Sequence, residues 1–425
     1  MKKVVVNICR LLLAVVFIIS GFVKAVDPLG SQYKIHDYLE AMGLGSLIPD
    51  YLTLTASILL SALEFCLGIF MLFAIRRRLT SRLIVALLLV MTPLTLWLAL
   101  ANPISDCGCF GDAIVLTNWQ TFWKNIILLF AAGIVARWPK EQVRFISKSN
   151  QWIVINYSAL FIIVISGWSL YDLPQFDFRP YHVGANIKAG MEIPEDAEQP
   201  QFDTTFILEK DGKRQEFTAD DYPEDTTWQY IDSRTVQISP GYVPPIHDFS
   251  VITSEGEDIT DQLLNDSSYT FLVISPHLEQ ADDSRLDLLN ELYEYSHEQG
   301  YPFYCLTAST EQAISRWCDM TGAEYPFCQT DEITLKTIIR SNPGVVLLKG
   351  GTVIRKWSHN NLPQIEPAQS SLPLEQLETG QMPTDTVATK LFRLLLWFVL
   401  PLALLSIADR MWLWTRRIRR KHDNQ

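Results

Sequence analysis

Lysine and arginine are scarce in particular parts of this chain, and each shortage excludes something. Between residues 25 and 51 the only one is Lys34, and between 102 and 118 there is none. Short loops so poor in cations do not belong on the cytosolic face of a membrane. No small-x-small cleavage site follows the first apolar run, so Val4–Val23, behind Lys2 and Lys3, is expected to stay as a helix rather than leave as a signal peptide. Residues 171–390 hold 14 basic against 37 acidic residues, a net −23, which argues against nucleic acid as a partner. Broken-helix pairs are also missing, and with one mid-membrane acid that disfavours a transporter path.

What is present is apolar length. Residues 4–24, 52–75, 83–101, 119–136, 152–170 and 391–408 each approach the roughly 20 apolar residues that cross a bilayer core as a helix. Six spans make the protein polytopic. The opposite short segments carry the cations: Arg76, Arg77, Arg78 and Arg82, then Arg137, Lys140, Arg144 and Lys148, then a tail with Arg416, Arg417, Arg419, Arg420 and Lys421. The bias places both termini in the cytosol and the 102–118 loop outside, with the large acidic region exported.

That loop begins Asn102-Pro-Ile-Ser-Asp-Cys-Gly-Cys-Phe-Gly-Asp112 and is the chemical centre of the chain. Cys107 and Cys109, one residue apart, admit three readings. A disulfide between them would close a small strained ring that Gly108 makes feasible, and strain makes a disulfide more oxidising. Two cysteines are half a zinc site with only aspartates nearby, so no metal is expected. The third reading is structural: pairing with a distant cysteine, or inert thiols. Asp106 and Asp112 count against thiolate formation.

Glu64 stands mid-way along the second span, where a carboxyl group is costly and faces the bundle interior. It is either a proton relay or quinone partner, or an interhelical hydrogen bond that fixes packing. Lys24 and Asp27, three apart, are expected to pair at the end of the first span, with Pro28 ending the helix and Lys24 snorkelling. Residues 32–49 read as a short amphipathic helix at the surface. Trp119 and Trp123 mark an interface.

Ser20-Gly21-Phe22-Val23-Lys24 with Asp27-Pro28, the Glu64 helix and Cys107-Gly-Cys-Phe-Gly111 together resemble the DoxX/MauE family of four-helix redox-associated membrane proteins, over residues 1–138. The resemblance implies a part in extracytoplasmic thiol–disulfide balance, in electron transfer to a quinone, or in maturing another redox protein.

Beyond the fifth span, residues 172–200 are proline-rich and read as a linker. Thr204–Glu209, an Asp211-Gly212 turn and Arg214–Phe217 read as a hairpin, with another strand at Thr235–Ile238. From residue 240 the pattern is β-α-β-α-(α)-β-β: strands at Tyr269–Ser275, Pro302–Thr307, Gly344–Leu348 and Thr352–Trp357, and helices at Asp283–Gln299, Thr310–Thr321 and Thr334–Arg340. With Asn342-Pro343 at the place of a cis-proline, this order is similar to the thioredoxin-like fold. Such folds carry Cys-x-x-Cys after the first strand, and here Ser275-Pro276-His277-Leu278 stands there. The domain is expected to bind or position a partner. Cys305 reads as core, and Cys318 and Cys328 as a structural bridge or none.

The expectation is an α-helical polytopic membrane bundle of four spans plus two with an inserted α/β thioredoxin-like domain and a small β-rich segment. Its parts are 1–138 (four-helix bundle), 151–171 (fifth span), 172–239 (linker and β-rich segment), 240–362 (thioredoxin-like), 363–386 (tether), 387–413 (sixth span) and 414–425 (basic tail). The favoured function is a thiol–disulfide oxidoreductase of the cytoplasmic membrane. Cys107 and Cys109 exchange with an exported redox or client protein, Glu64 moves protons, and a quinone accepts electrons. The rival is a non-enzymatic assembly or maturation factor with structural cysteines. A periplasm and a single-membrane exterior are not distinguished.

Overall fold

The computed structural model describes residues 1–104, 106–210, 212–218, 221–223, 227–239, 241–366 and 368–422. Ser105 of the central motif and Asp211 of the expected turn lie outside the described residues, as do the side chains of the basic tail.

The first half is helical: α1 (Lys2–Val26), α2 (Pro28–Ala41), α3 (Asp50–Phe73), α4 (Arg77–Ala101), α5 (Asn118–Arg137), α6 (Gln151–Tyr171) and the short α7 (Ile187–Met191). Among the described residues, six helices are long and apolar enough to cross a membrane: α1, α3, α4, α5, α6 and the final helix from Val387 to Thr415. They fall on the six expected runs. The second span ends at Phe73 rather than 75, because Ala74 turns into the left-handed region at φ +54°.

Two glycines set how closely α1 and α3 pack. A Cβ on Gly21 would lie 2.3 Å from the Phe65 nitrogen, and one on Gly68 would lie 2.7 Å from the Ile18 nitrogen. Small residues at such crossings let backbones touch, which is how helices associate where lipid removes the hydrophobic drive. The buried Ser57, Ser61 and Glu64 share that α3 face at near-helical spacing.

Outside the bundle, β1 (Gln201–Lys210), β2 (Lys213–Thr218) and β3 (Gln229–Ser239) form an antiparallel sheet in the order β2-β1-β3. The hairpin and third strand agree with their expected positions.

A six-stranded sheet follows, built from β4 (Ile252–Thr253), β5 (Tyr269–Ser275), β6 (Phe303–Thr307), β7 (Phe327–Gln329), β8 (Gly344–Lys349) and β9 (Thr352–Ser358), in the order β4-β7-β6-β5-β8-β9. β5 runs parallel to β6 and antiparallel to β8. The helices between are α8 (Thr260–Asn265), α9 (Leu286–Gln299), α10 (Glu311–Thr321) and α11 (Glu332–Ile338), and α12 (Val387–His422) closes the chain. Side chains alternate across the sheet with a period of two. Leu272, Ile274, Val346 and Leu348 join α8 and α11 in one core. Phe271, Val273, Val345 and Leu347 join α9 and α10 in the other. The Asn342-Pro343 peptide is cis. The sequence pattern missed β4, β7 and α8, all too short to show a period.

Two expected connections are not connections. Over 172–191 the supposed linker packs into the α/β core: Tyr181 and Ile187 are buried there, and the Gly184 and Ile187 amides donate to the Val353 and Gly351 carbonyls at 2.8 Å each. Within it Asp177 binds Lys356 at 2.9 Å and Arg179 at 2.7 Å. Burial works against the Asp177 charge, but Lys356 and Arg179 hold its carboxyl well below the usual range. The supposed tether behaves likewise. Leu374 and Leu377 fill the other core, and Tyr269 donates its hydroxyl to the Gly380 carbonyl at 3.0 Å. Prolines in both segments hid the few large apolar residues that anchor them.

Candidate functional site

The loop between α4 and α5 is held at its base by Asn118. Its amide donates to Asn102 Oδ1 at 2.9 Å and to the Ile104 carbonyl at 2.7 Å. Asp106 then shapes the motif: one carboxylate oxygen accepts from the Gly108 amide at 2.8 Å, the other from Lys34 at 2.9 Å. Gly108 sits at φ +62°, a conformation glycine adopts without penalty. This turn brings Cys107 Sγ and Cys109 Sγ to 2.7 Å.

Each cysteine's backbone is tied to a different helix. Tyr38 of α2 donates its hydroxyl to the Cys107 carbonyl. The Ser20 hydroxyl of α1 lies between the Cys109 carbonyl at 2.7 Å and the Glu64 carboxylate at 2.8 Å. Lys24, one turn further along α1, contacts both Glu64 oxygens at 2.8 and 2.9 Å. Both charges are nearly sealed from solvent. Ser20 therefore links the carboxylate in the span to the thiol loop above it.

The two thiols are not equivalent. Cys109 is held down to about 6 by the hydrogen bond from Cys107, against burial, with Lys124 and Lys24 adding positive potential. The same hydrogen bond and burial push Cys107 far up. The expected suppression by aspartates does not arise. Asp106 is committed to Lys34 and the Gly108 amide, and Asp112 lies 3.7 Å from Arg340. Lysines, not aspartates, dominate the potential at Cys109.

Below the sulfurs lies a cavity of about 230 Å³ inside the bundle. Lys24, Glu64, Lys124 and Asn125 line it beside the cysteines, with Phe17 and Met91 among its apolar walls. Val16, Lys124 and Leu128 also line an apolar groove on the lipid-facing side of α1 and α5, next to Trp119 and Trp123.

Cys107, Cys109 and Glu64, chosen from sequence, thus come together around one cavity. Lys24 does not pair with Asp27 as expected. α1 ends at Val26, and Asp27 caps α2 by accepting from the Gly30 amide at 2.9 Å, which turns its carboxylate away. Residues 32–49 form no lone surface helix, for α2 begins at Pro28 and packs over the thiol loop through Tyr38 and Lys34. Ser20 enters the sequence reading only as part of the family motif, without a role of its own, and Tyr38 and Lys124 escape it. Lys124, a cation just inside a span, carries a signal.

Residues 2–137 match the family described as methylamine utilisation protein MauE. That match covers a third of the chain and takes in the whole cavity and both cysteines. Residues 202–240 match a domain of unknown function (DUF8463), which corresponds to the three-stranded sheet. No curated protein matches the chain. Among solved structures, the solution structure of a proposed protein disulfide isomerase from Bacteroides thetaiotaomicron is similar at 12% identity and a TM-score of 0.23, covering 27% of this chain and 76% of that one. The class of the α/β domain rests on its own strand order.

That domain holds no thiol where such folds place theirs. Ser275 donates to Asn342 Oδ1 at 2.7 Å, and His277 sits 3.0 Å from Glu332. Its three cysteines are free. Cys305 and Cys328 are core residues, and burial raises both, Cys328 to about 11. Cys318 is half-buried on α10 and makes no bridge. Among the described residues, no group of three or more His, Cys, Asp or Glu side chains could hold a metal.

Proposed function

We propose that this protein is a membrane thiol–disulfide oxidoreductase whose working pair is Cys107 and Cys109 at the outer mouth of the MauE-like bundle. The observation that carries the reading is the asymmetry of the pair: two facing sulfurs 2.7 Å apart, with Cys109 favoured as the thiolate by the hydrogen bond from Cys107 and by the nearby Lys124 and Lys24. In the disulfide form, a partner thiolate attacks Cys107 Sγ. The S–S bond breaks, and its electron pair leaves on Cys109, the better leaving group because its thiolate is stabilised. A second partner thiol then attacks the mixed disulfide, its proton is released, and Cys107 departs as a thiolate that is reprotonated to the thiol. The partner gains a disulfide, and the bundle holds two electrons as Cys107 thiol and Cys109 thiolate.

Return to the disulfide needs an electron acceptor, and a quinone fits the residues present. The cavity is apolar below, polar at the cysteines, and shares three lining residues with a lipid-facing groove. Lys24, Glu64 and Asn125 would hold the polar end of such a molecule. When bound, a quinone supplies acceptance of two electrons and two protons. Ser20 ties the Glu64 carboxylate to the Cys109 carbonyl, which holds a proton-accepting group of the cavity beside the thiol loop.

We place both termini in the cytosol and the thiols outside, on the loop charges. The α/β domain meets the same end of the bundle as the thiol loop, through Arg340 and Asp27 at 3.0 Å. The basic loops meet at the other end, where Arg77 donates to the Lys140 carbonyl at 2.8 Å.

The rival reading, an assembly or maturation factor with structural cysteines, draws on the α/β domain, which has no cysteine after its first long strand, where Ser275-Pro276-His277-Leu278 stands. Redox trapping separates the two. Membranes are acid-quenched, thiols are labelled with a mass tag, and wild type is compared with Cys107→Ser and Cys109→Ser, with and without quinone depletion. A shift of the pair from oxidised to reduced on depletion is the expected result. A pair fixed in one state, with maturation of exported proteins intact in Cys109→Ser, would sink the relay in favour of the scaffold.

A further inference from the structure

A second cavity, of about 550 Å³, lies between the bundle and the α/β domain, and it ends at the thiol loop. α2 and residues of the thiol loop form its bundle side, α11 with Arg340 and Phe178 the other. A space of that size is in the range of ligand-binding pockets. Gly108 borders this cavity and the intramembrane one alike, as do Ser31 and Lys34. The Cys-Gly-Cys turn is therefore the partition between them.

Lys34 closes that partition. A Cβ on Gly108 would lie 3.0 Å from Lys34 Cγ, so the lysine stem runs across the turn. Among the described residues, its ammonium is held only by Asp106 at 2.9 Å, in a part-exposed pair. Swinging Lys34 aside breaks one contact and opens the way from the interdomain cavity to the sulfurs.

The cations around this cavity are already matched. Arg340 binds Asp27, Arg179 binds Asp177, Lys336 binds Glu332 and Lys34 binds Asp106. Tyr33 lies beneath both Lys336 and Arg340, with their charged groups 5.1 and 5.2 Å from its ring. What remains to meet an occupant is apolar surface, including the exposed Val115, Phe178 and Ile333, together with the Asp37 and Asp112 carboxylates, which would repel an acidic one.

Building on the dithiol reading above, we infer that this cavity is the port for an extended, apolar, cysteine-bearing segment of an exported protein without acidic side chains, with Lys34 as its gate. The α/β domain then has a role that needs no thiol of its own. It supplies the wall that holds the segment while the partner's thiolate reaches Cys107 Sγ and forms the mixed disulfide, Cys109 leaving as thiolate.

The test uses the full chain carrying Cys109→Ser, in lipid nanodiscs. The probe is a short uncharged peptide with a thiopyridyl-activated cysteine and a benzophenone side chain beside it; Cys107 displaces thiopyridone to form the mixed disulfide. After illumination, mass spectrometry is expected to find cross-links on Tyr33, Val115, Phe178 or Ile333. Adding Lys34→Ser should speed peptide capture several-fold. Cross-links confined to the lipid-facing Trp119 and Trp123 would overturn the port, as would labelling of Cys107 by methyl methanethiosulfonate but not by the peptide. Unchanged or slower capture in Lys34→Ser would overturn the gate. If neither reagent reaches Cys107, the dithiol reading itself fails and the port with it.

Discussion

Arg340 closes on Asp27 across 313 positions of sequence, its Nε 3.1 and 3.0 Å from the two carboxylate oxygens and its terminal nitrogen 3.0 Å from one of them. The arginine is buried at the end of the α/β domain that carries the cis-proline, and the aspartate caps α2, which packs over the thiol loop. Removing one partner of a fully buried pair costs roughly 3–5 kcal/mol. Asp27 is partly exposed, so Arg340→Ala should weaken docking by about 2 kcal/mol, some thirtyfold. Hydrogen exchange should then speed up in α2 and α11 together while the sheet core keeps its protection. Unchanged exchange in α2 would show that Asp172, which accepts from Ser358 at 2.9 Å, holds the domain without Arg340.

Glu64 separates structure from chemistry by a different route. Glu64→Gln leaves Lys24 charged and unpaired in the span, at a cost of roughly 3–5 kcal/mol. Replacing both, as Lys24→Met with Glu64→Leu, removes the two charges at once and should restore thermal stability in detergent to near wild type. If Glu64 moves protons, the doubly substituted protein melts normally yet fails to reoxidise its thiols. Recovery of both stability and reoxidation would reduce Glu64 to a packing residue.

Thiol reactivity should titrate low. Below about pH 6 Cys109 is protonated and inert to iodoacetamide; above it the thiolate forms and alkylation reaches its plateau, where an ordinary thiol would wait until about 8.5. Lys124→Met withdraws a positive charge that favours the thiolate, so the midpoint must move up and labelling at pH 6 must slow several-fold. The readout is the alkylated fraction of Cys109 by mass spectrometry on the fully reduced protein. An unmoved midpoint would take Lys124 out of the site.

How much of this is legible in the sequence depends on range. The spans follow from apolar length, and the α/β order from local periods: β5 was read at its observed bounds because seven consecutive residues are buried. Cys107, Cys109 and Glu64 stood out as residue types costly or reactive at their positions. Lys24 did not, because its partner is 40 positions away and a local pair with Asp27 looked sufficient. Arg340 was invisible for the same reason. The packed parts of 172–191 and 363–386 were lost to composition: prolines signal loops, and one buried Tyr181 or Leu374 has no period to reveal it.

Gly108 offers the sharpest test of how the loop is built, because Gly43 is its natural control. Both have positive φ, +62° and +72°, but a Cβ at 43 meets nothing within 4 Å while one at 108 meets Lys34. Alanine at either should cost roughly 1–2 kcal/mol for the left-handed backbone. At 108 the new methyl also displaces the Lys34 stem and weakens its pair with Asp106, adding up to about 1 kcal/mol. Asp106 in turn fixes the Gly108 amide, so the turn that brings the sulfurs together loosens. Gly108→Ala should therefore melt lower than Gly43→Ala and hold a smaller oxidised fraction of the cysteine pair by thiol trapping. Equal melting and equal oxidation in the two variants would mean that Lys34 does not lie against the turn, and that the sulfurs meet without its help.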